Sequence, residues 1–281
     1  KGTGTEFKIG FGGGGGFTPQ YEYMWNTISE RNLDAMLLLG DNVYIDMPQL
    51  PGAFHDYTYY RLQSRPEFRG MISHTPIFTI WDDHDSGTDD VWMGPFKDKP
   101  EWKKPLLDHF KSNWMNPPAG DEEDYGCWYK YSIGDVEFFM LDGRTWRTNP
   151  FAPVTTMLGP VQKVWLFDVL KSSTATFKMI VSPVPWAPEA KPNSKDTWDG
   201  HKAERAEIFS MIRDNKIEGV VLLSADRHRS DVWKIDVENS YPLYDFCSSK
   251  LTNIHTHDIE PGALFGYNEK CSFGEISFST S

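Results

Sequence analysis

The sequence predicts a layered α/β fold, and two features carry that reading. Short, continuously apolar runs recur along the chain and end in polar, mostly acidic residues. Segments of helical periodicity separate them. Each run is too short for an independent helix, and its unbroken hydrophobicity fits a strand buried on both faces. Strand, polar loop and helix in alternation give a layered α/β arrangement.

The first run, 7–11, leads into the glycine stretch FGGGGGF. Tyr21, Met24, Trp25 and Ile28 then share one helical face. The run 35–39 is stopped by Gly40, and further runs lie at 77–81, 136–141, 177–181 and 220–223. Helical patterns cover 61–72, 101–114, 160–171 and 201–215. DVWKIDV alternates, as a half-exposed antiparallel strand does. From Leu251 onward the chain is loop-rich and weakly periodic. No internal repeat and no Pro/Gly/Ser linker divides it, so one domain over 1–281 is expected. The sequence opens at Lys1 without Met or an apolar leader, as a mature or excised chain would.

Composition narrows the partners. Lys plus Arg is 28 and Asp plus Glu is 40, a net charge of -12. Phosphate backbones are held by basic patches, so no nucleic-acid surface is expected. No apolar run reaches the length of a membrane span. Cys127, Cys247 and Cys271 form no CxxC pair, which argues against a cysteine zinc site and a dense disulfide framework.

The chemistry sits where the strands end: Asp41 and Tyr44 in GDNVY, Asp82, Asp83 and Asp85 in WDDHD, Asp142 and Arg144 in LDGR, Asp226 and His228 in ADRH. Sites in open α/β sheets form at the carboxyl ends of strands. Converging carboxylates cannot all stay ionised without cations, so a metal cluster is expected. Oxygen-rich donors suit Ca²⁺, Mn²⁺, Fe or Zn²⁺. Two metals about 3.5–4 Å apart would suit phosphate-ester hydrolysis. Taken singly, each residue has a plainer use. Asp41 fits a turn or cap, WDDHD a solvated loop, Tyr44 core packing, His228 an ordinary histidine. Arg144 fits a structural partner of Asp142 or Asp82.

In order and spacing, GDNVYID, WDDHD, LDGRTWR, MLGPVQKVWL and LLSADRH resemble the PhoD-like alkaline phosphatases, a branch of the calcineurin-like metallophosphoesterases. The resemblance covers roughly 7–235. It implies an α-β-β-α fold, a β-sandwich flanked by helices. It also implies a metal-dependent phosphomonoesterase or phosphodiesterase acting on a small phosphorylated substrate, using Ca²⁺ with or without Fe, Zn or Mn. Asp41, Tyr44, Asp83, Asp226 and His228 fall on metal-ligand positions. His84 falls on the catalytic histidine that protonates the leaving oxygen. Arg144 matches the LDxR block, and its planar fork suits phosphate oxygens. Water activated by the cations attacks phosphorus in line with the leaving group. A secreted or periplasmic, bacterial-type location follows from the same likeness.

Three departures stand out. Gly14 replaces the cysteine that ligates a transition metal in the FGSC block. Ala225 replaces the glycine of the last motif. The separate N-terminal β-domain of the family is not expected in this chain. The lost thiolate motivates a rival reading, a degenerate scaffold that binds calcium or carbohydrate. A metallohydrolase of another ester is a second rival. In the loops, His255 and His257 of HTHD have a metal-ligand spacing, and Trp186 and Trp198 would close the site over apolar leaving groups.

Overall fold

Period-two alternation inside the apolar runs sorts the side chains of each strand into two layers. In the second run, Ala35, Leu37 and Leu39 face one cluster while Met36 and Leu38 face another. Val136, Phe138 and Met140 likewise separate from Phe139 and Leu141. Unbroken hydrophobicity thus marks strands covered on both sides, as expected. The structure, a computed structural model, describes residues 5–50, 52–121 and 124–280. Residues 1–4 and 281, the ends of the expected 1–281 domain, lie outside the described residues.

In chain order the elements are β1 (Glu6–Gly12), α1 (Met24–Ser29), β2 (Ala35–Leu39), α2 (Ala53–Gln63), α3 (Pro66–Ile72), β3 (Ile77–Ile80), α4 (Asp83–Ser86), α5 (Lys103–Asn113) and β4 (Tyr129–Ile133). Then come β5 (Val136–Met140), α6 (Gly159–Ser172), β6 (Phe177–Val181), α7 (Lys202–Asp214), β7 (Val220–Ser224), β8 (Ser230–Ile235), β9 (Leu243–Ser248), β10 (Phe265–Tyr267) and β11 (Gly274–Ser279). A 4-stranded sheet has the order β11-β1-β2-β3, and a 7-stranded sheet the order β10-β8-β9-β7-β6-β5-β4. The inner faces share one apolar layer, in which Ile9, Leu37 and Ile80 meet Phe138, Met179 and Leu223. Residues of α1, α2, α3 and α5 cover the outer face of the smaller sheet. Those of α6 and α7 cover the larger. The layering is α-β-β-α.

Two expectations change in detail. The helical pattern at 61–72 is two helices, because Pro66 opens α3 and the preceding Arg65 is extended (φ -63°, ψ 130°). The tail is less irregular than its periodicity suggests: β11 pairs antiparallel with β1 and completes the smaller sheet. DVWKIDV is β8, antiparallel to β9 and β10.

In both sheets the strands feeding the acidic loops are parallel, β1-β2-β3 in one and β5-β6-β7 in the other. Their carboxyl ends meet on one rim, where Gly13 N donates to Ser248 O across the sheets.

Candidate active site

The turn after β2 delivers the first carboxylate. Gly40 has φ 106°, and a Cβ there would stand 2.5 Å from Asp82 Cβ, so only glycine lets the two loops touch. Asp41 itself lies at φ 51°, Asp226 at 67° and His228 at 47°. Left-handed backbone at a non-glycine residue costs about 1 kcal/mol or more and concentrates at functional sites. Positive φ falls on Asp226 and not on Ala225, so the missing glycine of that motif is not needed.

The carboxylates that gather here are under-satisfied. Asp41 Oδ1, Asp82 Oδ2, Asp83 Oδ1 and His228 Nδ1 are buried without a hydrogen-bond partner. Ligand atoms of Asp41, Asp83 and His84 lie within 4.8 Å of one another, as do those of Asp83, Asp90 and Asp196. Orphaned buried oxygens are costly unless a cation takes them up. The donor set, oxygens with one free imidazole nitrogen, fits hard or borderline ions.

Electrostatics agree. Burial, then repulsion from Asp83, Asp82, Asp85 and Asp226, pushes Asp41 well above the usual carboxylate range. Burial also works to raise Asp83, but Arg144 and His84 outweigh it and hold that carboxyl below its usual range. Asp226 is pushed up to about 6 by burial, against the pull of Lys191. His228 is pushed down to about 3 by burial and by His257 and His255, so its ring is neutral with a lone pair to offer. His84 resists burial through its Nδ1 bond to Asp46 and the charge of Asp83, which raise it to about 9. Tyr44 donates its hydroxyl to Asp41 Oδ2 at 3.2 Å and accepts from Asn253 Nδ2. Burial and Asp41 hold it as a phenol.

Arg144 pairs with Asp82, the plainer of its two expected uses. Its side chain is 0% exposed. Nε donates to Asp82, Nη1 to Val91 O and Asp196 Oδ1, and Nη2 to Asp196 Oδ2, with Asp83 Oδ1 3.6 Å away. Four of its five N–H groups are engaged and Nη2 keeps one beside Asp83 Oδ1, so Arg144 clamps carboxylates from inside the protein. Asp142 and Asp85 are likewise spent. Asp142 takes Trp81 Nε1, the backbone of Cys127, Arg144 and Thr145, and the Thr145 hydroxyl. Asp85 takes the backbone N–H groups of Asn42, Val43 and Asp82.

Sequence reasoning missed the loop between β6 and α7. Lys191 Nζ lies 3.1 Å from Asp90, 3.4 Å from Asp226 and 3.6 Å from Asp196. Its ammonium therefore pairs with Asp226 as well as with Asp90 and Asp196. Asp196 also accepts from Arg147 at 2.8 Å. Neither Lys191 nor Asp196 ends an apolar run, which is why the strand-end rule passed over them. Asp46, on His84, lies inside the GDNVYID block and was open to notice.

Gly14 has a structural reason. Its φ is 71°, and a Cβ would stand 2.4 Å from Ser249 O. Thr252 N and Asn253 N both donate to Gly14 O. The loop that brings Asn253 to Tyr44 thus docks where a cysteine side chain would need room, and a thiolate does not fit. His255 and His257 flank His228, with ring centroids 5.7 and 5.6 Å away. Trp186 and Trp198 do not close the site: they stack at 4.2 Å, fully buried, in the core of the larger sheet. Among the described residues no helix is long and apolar enough to cross a membrane.

The chain is similar to known proteins over this whole region. The family profile described as PhoD-like phosphatase matches residues 10–263. Alkaline phosphatase D of Bacillus subtilis (strain 168) is 24% identical over 284 residues, 83% of this chain and 47% of the relative. The chain thus spans about half the length of that curated relative. The solved structure of PhoD superposes with a TM-score of 0.80 at 18% identity, over 98% of this chain and 64% of that one. GAP50, described as the anchor in the inner membrane complex of Plasmodium, gives a TM-score of 0.59 at 13% identity, over 97% of this chain and 81% of its own. These two likenesses speak to the fold alone. With the profile spanning residues 10–263, the rim of buried aspartates and all but the last two strands of the layers beneath it fall inside the match, and the chain belongs to the PhoD-like phosphatase family.

Proposed function

We propose that this chain hydrolyses phosphoric esters with the help of bound cations. One observation carries the reading: buried oxygens of Asp41, Asp82 and Asp83 and the Nδ1 of His228 have no partners, and His84, held on Asp46, lies beside Asp41 and Asp83. Asp41 and Asp83 would hold a cation, together with Asp226 and His228, and Tyr44 would offer a neutral hydroxyl oxygen. The cation would supply Lewis acidity and an acidified water. Arg144 keeps Asp82, Asp83 and Asp196 in place. His84, oriented by Asp46, carries the proton that the leaving oxygen needs. Family membership supports phosphate as the group transferred. The oxygen-rich donor set supports Ca²⁺, with Mn²⁺ or Zn²⁺ as partner, over thiolate-bound iron. Both monoesters and diesters belong to the proposal.

The test is elemental analysis of purified protein beside hydrolysis of an aryl phosphate monoester and diester, with and without chelator. Stoichiometric metal and chelator-sensitive turnover are expected, both lost in Asp41→Asn. Bound calcium without turnover, after other divalent ions are added, would favour a binding scaffold instead.

A further inference from the structure

A cavity of about 490 Å³ opens directly beside the carboxylate cluster. Its inner wall is Asp90, Lys191 and Asp196, which also belong to the cluster. Its outer wall is different. Trp92 and Phe151 line it while 46% and 79% exposed. Exposed aromatic faces turned toward one cavity mark a binding surface more often than scattered exposure does. Asn149 Oδ1 accepts from Phe151 N, which fixes the turn presenting that ring.

The charges are unevenly spent. Arg147 is paired with Asp196, and Lys191 with Asp90 and Asp226. Lys195, on the same wall, makes no ion pair among the described residues. It is held by its backbone, whose carbonyl accepts from Arg147 Nη2. Two exposed aromatic side chains and one ammonium without an ion pair thus line the same cavity as the carboxylates.

We propose that this cavity receives the leaving group of the ester, and that it selects a planar ring carrying a negative charge. The inference rests on the hydrolysis proposed above. Trp92 and Phe151 sandwich the ring, Lys195 meets the charge, and the phosphoryl group lies inward at the aspartates.

The test compares 4-carboxyphenyl phosphate, phenyl phosphate and ethyl phosphate. None of Trp92, Phe151 and Lys195 holds the metal, so variants there leave the centre intact. Trp92→Ala and Phe151→Ala should each lower kcat/KM for both aryl esters by about tenfold, the scale of one lost aromatic contact. Ethyl phosphate should change less than about twofold. Lys195→Met should reduce the advantage of the carboxylated over the plain aryl ester by about three- to fivefold, as an exposed charge pair would. Equal losses on all three esters, or none, would overturn the proposal. A second measurement is independent of turnover: calorimetric binding of 4-hydroxybenzoate to the metal-loaded protein, weakened in Trp92→Ala and Lys195→Met. Binding that these variants do not weaken, or no binding at millimolar concentration, would sink the cavity. Binding weakened as expected in a protein that hydrolyses none of the esters would uphold the cavity and remove the hydrolase reading alone.

Discussion

Asp142 after β5 and Asp41 after β2 hold the same kind of position. Each follows a buried apolar run, and each is buried. Their surroundings differ. The Asp142 carboxylate accepts from Trp81, Thr145 and the N–H groups of Cys127, Arg144 and Thr145. Asp41 accepts from Tyr44, and its Oδ1 has no partner. A buried carboxylate surrounded by donors holds the fold together. One left short of donors, among other acids, has an oxygen to offer a cation. Burial alone does not separate the two cases; the supply of donors does.

The largest effect should come from breaking the satisfied corner. Asp142→Ala orphans that whole set of donors and should cost about 4 kcal/mol or more, enough to threaten folding. Asp41→Asn should leave the metal-free protein as stable or raise it by about 1 kcal/mol, because it removes a charge that burial and neighbouring acids oppose. Urea unfolding in chelator measures both. Equal losses in the two variants would dissolve the distinction. Metal should stabilise the parent protein and shift Asp41→Asn much less.

Arg144 tests the same contrast from the cationic side. Arg144→Met leaves Asp82, Asp83 and Asp196 buried without their guanidinium, a loss of about 3–5 kcal/mol. The loss should appear in unfolding curves without any substrate. A variant of parental stability that binds phosphate more weakly would return Arg144 to the phosphate-holding role.

Gly14 marks the limit of repairing the site by family pattern. Gly14→Cys must place a Cβ against Ser249 O at φ 71°. It should cost roughly 2 kcal/mol and gain no iron. The urea midpoint and the iron content check it. Stoichiometric iron at unchanged stability would show that the loop yields.

Much of this was legible in the sequence. Runs such as 35–39 and 177–181 became strands because continuous hydrophobicity has one good use at that length. Asp41, Asp83 and His84 stand out because they follow such runs, and the structure brings their ligand atoms within 4.8 Å of one another. β11 was not, since Gly274–Ser279 is an edge strand with a partly exposed alternating face and draws its stability from pairing with β1. Lys191 and Asp196 were not, because they lie in a loop whose place depends on distant partners: Arg227 and Arg229 both donate to Ala190 O. The carboxylate partners of Arg144 were not legible either, because a guanidinium's chemistry says what it can bind, while the fold decides which neighbours reach it.

Asp245 lies between the two extremes and sharpens the rule. Its carboxylate accepts from Ser224 Oγ and from the N–H groups of Trp186 and Ala187. Burial still outweighs these bonds and pushes it up to about 7. A carboxyl whose folded pKa lies above its unfolded value stabilises the fold fully below about pH 4, near the unfolded value, and loses that contribution as pH rises toward 7. Asp245→Asn keeps one oxygen for the two backbone N–H groups, and the Ser224 hydroxyl can turn to accept from the new amide. The variant should therefore match or trail the parent at pH 4 and overtake it by about 1–2 kcal/mol at pH 8. Urea midpoints across that range measure the crossing. A constant difference at every pH would mean that three donors already suffice to keep a buried aspartate ionised, and that the line between the Asp142 and Asp41 corners lies closer to Asp41.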